Sequence, residues 1–149
     1  MKIDNKKILR VLATAVLITV VSYISHTVWS FVSMGYYLME EYYPVWSKIM
    51  MPEPGPPPMS FTFYSIGFGF IGSVLFTVGY LLVKKSMPGK DMTRKGLLYG
   101  LFVFFVGAVP GYLAMVLLVN LPLMLVVLWA FEGLLLQLIS GVIVARMNK

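Results

Sequence analysis

Four long apolar stretches dominate this chain and leave it little choice of fold. A hydrocarbon core about 30 Å thick takes roughly 20 residues of helix at 1.5 Å each. The runs over residues 8–34, 61–83, 96–119 and 121–145 meet that length. With Arg10 at an interface, Glu132 is the one formally charged side chain inside them. The chain has 149 residues, 59% of them hydrophobic and 12% charged, about half the charge a soluble domain carries. That composition excludes a water-soluble enzyme. It also excludes a disordered segment, which needs low hydrophobicity and high net charge. The expected fold is an all-α integral membrane domain covering residues 1–149, a four-transmembrane-helix bundle.

The basic residues give its orientation. Lys2, Lys6, Lys7 and Arg10 flank the first run, and Lys84, Lys85, Lys90, Arg94 and Lys95 lie in the link 84–95. Arg146 and Lys149 follow the fourth run, so eleven of the twelve Lys and Arg residues fall on one side and Lys48 on the other. Cytoplasmic loops carry the Lys and Arg excess, so both termini are expected in the cytoplasm, with the protein in the cytoplasmic membrane of a prokaryote. The first run resembles a secretory signal in its basic start. It continues through Trp29 and Phe31, however, well beyond a signal core of about 7 to 15 residues, and is expected to stay as a span. The net charge of +6 does not point to nucleic acid, because the basic residues sit at the ends of apolar runs and form no face interleaved with stacking aromatics.

The connections differ in kind. Met87-Pro88-Gly89-Lys90 reads as a turn, with Thr93 as the expected cap of the next helix, so spans two and three are expected to form a tight antiparallel hairpin. Asn120-Leu121-Pro122 joins spans three and four with almost no loop, asparagine capping and proline sitting in the first turn. The outer loop, residues 35–60, opens with Tyr36, Tyr37, Tyr42, Tyr43 and Trp46, an aromatic belt expected as a helical extension in the interface. The run from Pro52 to Pro58 that follows holds five prolines and cannot be helix, so it is expected as an extended strap. Such a strap serves as a stiff return path or as a docking ligand.

Apolar side chains gain little by leaving lipid for one another, so small residues that let backbones approach drive helix association. Ser65, Gly69 and Ser73 in span two, Gly100, Gly107 and Gly111 in span three, and Gly133 and Gly141 in span four are the expected packing positions. Whether each seam faces the bundle or a second copy stays open at this stage. Pro110 is expected to kink span three and free carbonyls there.

Few polar groups remain that could do chemistry. Thr19, Ser22, His26, Ser30 and Ser33 advance by three or four residues along one face of span one. Serine and threonine also bond their own helix carbonyls, so the hydroxyls carry little alone. His26 is the single histidine and lies roughly 24 Å past Arg10 along a helix. It either bonds a neighbouring helix or handles protons or substrate. Glu132 lies between Pro122 and Arg146, near the middle of span four. A carboxylate there costs at least about 2.5 to 3.5 kcal/mol, so it must be protonated, paired or wetted. No Lys or Arg lies in any span, which leaves tyrosines, Trp129, the span-one hydroxyls or His26 as its partners. Gln137 reads as helix glue or a substrate contact.

The absence of cysteine removes disulfides and thiolate metal sites, and one histidine cannot hold a haem between two. The methionines around the outer loop lack the spacing for copper, so no metal or cofactor is expected. Gly67 to Gly72 imitates a phosphate loop but lies inside a span, and no nucleophile has a base. The expected function is therefore a non-enzymatic membrane protein acting in the lipid bilayer as an accessory or structural subunit, a homo-oligomer or part of a larger membrane complex. The alternative is a proton-coupled small-molecule or ion transporter that uses Glu132.

Overall fold

A computed structural model describes residues 5–149, so Lys2 and Asp4 lie outside the described residues. Among those residues there is no strand, and four helices are long and apolar enough to cross a membrane: α1 (Asn5–Tyr37), α2 (Met59–Val83), α3 (Met92–Leu118) and α4 (Leu123–Met147). Their bounds run past the apolar stretches at several ends, because helical hydrogen bonding continues into the polar flanks. At 25 residues, α2 and α4 are each roughly 38 Å long. The helix surfaces are largely apolar, with Leu82 of α2 79% and Leu117 of α3 82% uncovered by protein. Such surfaces suit lipid rather than water.

The tightest pairings are α3 with α4 and α1 with α2, followed by α1 with α4. Small residues explain the first. A side chain at Gly96 would run into the backbone carbonyl of Gly141, and one at Gly100 into that of Gln137, so these positions admit only glycine. Polar ties explain the second. Thr19 Oγ1 lies 3.1 Å from Ser73 Oγ, and the Thr19 methyl fits over Gly69. Spans two and three depart from the expected tight hairpin. Their turn is present, with Gly89 at φ +137°. Tyr99, however, stands between the helices, donating to the Phe76 carbonyl at 2.8 Å and packing on the Phe76 and Tyr80 rings. A tyrosine between two backbones keeps them apart.

Three other expectations change. The cap of α3 is Asp91, whose carboxylate accepts from the Arg94 amide at 2.9 Å, while the Thr93 hydroxyl accepts from Arg146. Asn120 is exposed and caps nothing, because α4 begins only after Pro122 and has no side-chain cap. The aromatic belt is not a continuation of α1. The helix stops at Tyr37, and a 3-10 turn over Glu40–Val45 follows, holding Pro44, which has no amide to donate. The proline run beyond it forms no helix.

A further finding concerns Pro110. Proline cannot donate to the carbonyl four residues back, and α3 answers with a π-helical turn over Phe104–Ala108, where the Val109 amide reaches back to Phe104. A π-turn adds one residue, which rotates everything beyond it by roughly 100° about the helix axis. Gly107 and Gly111 would otherwise continue the Gly96–Gly100 face. They are turned away from α4 instead, and a side chain added at either would meet no other part of the chain within 4 Å. Phe104 and Tyr112 take over that face.

The core sits toward the end of the bundle that carries the basic residues. Ile18, Tyr80, Tyr99, Val144 and Ala145 form one buried cluster. Asn148 closes it, donating to Thr14 Oγ1 at 3.1 Å and to the Val144 carbonyl, while Lys84 donates to the Asn148 carbonyl. Toward the loop end the covering thins. The buried residues of α2 are Ser73, Thr77 and Tyr80, and none lies in Val109–Leu118.

Candidate functional site

The site lies between α1 and α4 in the loop-end half. Along α1, His26, Trp29, Ser33 and Tyr37 advance by three or four residues and so share a face, and along α4 Trp129 lies one turn before Glu132. The two faces meet. His26 Nδ1 stands 2.7 Å from Glu132 Oε1, joining the single histidine to the single carboxylate of the spans. Their exposure is unequal, at 64% for the His26 side chain against 7% for that of Glu132. The approach is at ion-pair distance but outside hydrogen-bond geometry, so Oε1 remains a buried acceptor with no hydrogen-bond donor. A modest turn about the broad terminal torsion of histidine would align the ring N–H.

Aromatic groups cover Glu132 toward the loop end. Trp129 donates its indole N–H to the Tyr37 hydroxyl at 2.9 Å, and Trp46 from the loop between α1 and α2 packs on both rings, at 5.1 Å from Tyr37 and 6.3 Å from Trp129. From α3, Tyr112 donates to the Trp129 carbonyl at 3.0 Å and lays its hydroxyl on Gly133, where a side chain would collide with it. Gly133 thus accommodates a tyrosine rather than a backbone. Trp29 packs at a tilt against Phe131, and the indole N–H groups of Trp29 and Trp46 are buried without an acceptor. Outside the spans, Glu41 raises the phenol pKa of Tyr42 by accepting its hydrogen bond.

The other sequence candidates lie apart from this pair. Ser30 donates to the Thr27 carbonyl of its own helix, and Ser33 to that of Trp29. Ser22 is half-buried. Gln137 meets α3 through its backbone carbonyl at Gly100, and its side chain is half-buried. Ser73 donates to the Gly69 carbonyl, and Ser65 is half-buried one turn before Gly69. Asn148 and Thr14 escaped the sequence reading. Asn148 follows the last apolar residue and reads as tail, and Thr14 lies off the polar stripe of α1, so only a four-residue step back to the Val144 carbonyl hints at burial. Tyr37 and Trp46 read as interface residues, and their part in covering Glu132 has no local signature.

Among the described residues, no group of three or more His, Asp or Glu side chains could hold a metal ion. The arrangement offers a buried carboxylate, an imidazole with one nitrogen on that carboxylate, and a cover of phenol and indole groups. That is equipment for holding or passing a proton. No known protein family, curated protein or solved structure matches this chain.

Proposed function

We propose that this chain is a non-enzymatic polytopic membrane protein that works as an accessory or structural subunit, as a homo-oligomer or within a larger membrane complex. The single observation carrying this reading is the uncovered loop-end half of α3. Val109–Leu118 buries no residue, and Gly107 and Gly111 form a small-residue pair with nothing against it. Such pairs let a second helix approach closely in lipid. We place both ends of the chain in the cytoplasm of a prokaryotic cell, because the basic residues gather at one end of the bundle. Gentle extraction followed by native mass spectrometry tests the reading. It predicts a stoichiometric assembly, of copies or with a partner, that Gly107→Leu disperses; a bare monomer from native membranes sinks it.

A second reading, a proton-coupled transporter of small molecules or ions, is favoured by the His26–Glu132 contact. It predicts that Glu132→Gln abolishes proton-linked flux in liposomes while the protein still folds. Wild-type protein without such flux, or a variant with undiminished flux, counts against it.

A further inference from the structure

We infer that His26 and Glu132 together form one proton-binding site, reached from the loop-end side through the exposed His26 ring and closed toward the basic end. The inference deepens the second reading above and rests on the orientation proposed there, in which the loop end is the outer face.

The closed side is argued from packing. Toward the basic end α3 and α4 are in backbone contact at Gly96–Gly141 and Gly100–Gln137, where no side chain fits. Beyond them lie the Tyr80, Tyr99, Val144 and Ala145 cluster and Asn148, itself 3% exposed. A direct path from the loop end is obstructed too, by the ring contacts among Tyr37, Trp46 and Trp129. What stays open is the flank. His26 is 64% exposed and touches the carboxylate with Nδ1. Tyr23 and Thr27 lie beside it on α1, both exposed, and α2 buries nothing before Ser73. Thr27 donates to the Tyr23 carbonyl of its own helix, but the exposed His26 ring finds no partner in hydrocarbon, so this flank is wet rather than lipid-facing.

The chemistry balances with a proton from outer water alone. Neutral His26 with its proton on Nδ1, beside ionised Glu132, carries a net charge of −1. Nε2 takes a proton from water as Nδ1 gives its own to Oε1. The ring ends as the other neutral tautomer, the carboxyl is protonated, and the pair is neutral. An imidazole is suited to this because its two nitrogens exchange roles. The titratable groups facing Glu132 from the packed elements are His26 and Tyr37 on α1 and Tyr112 on α3. The Lys and Arg residues of the helices lie at the basic end, so none neutralises the carboxylate.

The chain itself makes the test clean, since it has one histidine and no cysteine. The full chain, labelled with ¹⁵N-histidine in lipid nanodiscs, is titrated with acid and followed by NMR. Coupling predicts that the Nδ1 and Nε2 pH profiles of the wild type differ from those of Glu132→Gln, and that Glu132→Asp restores the wild-type form; the Asp variant also controls for folding. Superimposable wild-type and Gln profiles overturn the site. Access is read with Ser30→Cys, one turn past His26, and Thr77→Cys in the buried basic half, each exposed to a charged, impermeant thiosulfonate in right-side-out and inverted vesicles. Labelling of Ser30→Cys from the loop side, about tenfold faster than of Thr77→Cys, is expected, because only a hydrated thiol ionises and reacts. Labelling from the basic side, or none above Thr77→Cys, overturns it. A coupled, outer-accessible pair in a protein without proton-linked flux supports the site and removes the transport reading.

Discussion

Gly96 and Gly100 near the basic end of α3, and Gly107 and Gly111 toward its loop end, have the same four-residue spacing on the same helix, yet the first pair touches the backbone of α4 and the second touches nothing. The π-turn over Phe104–Ala108 that accommodates Pro110 begins after the first pair and takes in Gly107. The difference teaches that small-residue spacing specifies a seam only as long as the helical phase is unbroken; one inserted residue hands the contact from Gly111 to Tyr112. It also separates two kinds of packing. The basic half is held by backbone proximity and by buried polar ties at Thr14, Asn148 and Lys84, whereas the loop half is held by rings around one carboxylate.

Substitutions can break or sharpen that contrast. The largest effect is expected for Gly141→Val, which forces a side chain into the Gly96 carbonyl and should cost about 3 kcal/mol, measured by reversible unfolding in mixed micelles. Asn148→Ala removes the bond to Thr14 and should cost roughly 1 to 2 kcal/mol in the same assay. Trp129→Phe loses its bond to Tyr37 and should cost about 0.6 kcal/mol, with a larger change in the tryptophan emission of the loop half than in overall stability. Gly107→Ala should be the mildest, raising monomer stability by about 0.5 kcal/mol at most, since the methyl meets open space and helix propensity favours alanine. A loss of several kcal/mol at Gly107 would abolish the distinction between the two pairs.

The four helices were legible in the sequence because bilayer thickness sets a length that composition displays directly. The seam was legible at Gly100 and Gly141, where one uninterrupted helical period runs. The direction in which Gly107 and Gly111 face was not legible, because a proline announces a disturbance of the helix without giving the phase beyond it. Of the site, Glu132 stood out through the cost of its charge and His26 through its uniqueness. Their meeting depends on how α1 crosses α4, which no local pattern encodes. The cover from Tyr37, Trp46 and Tyr112 comes from three separate segments and leaves no spacing to read.

Asn148 carries a consequence for the order in which the molecule is made. The α1–α2 pair, joined through Thr19, Gly69 and Ser73, has all its parts once residue 83 has been synthesised. The basic end cannot close until residue 148 leaves the ribosome and reaches back to Thr14 and Lys84. The first two helices can therefore pair before the basic end closes, with the Thr14 hydroxyl held only by the Arg10 carbonyl of its own helix, and α4 then acts as the bolt across them.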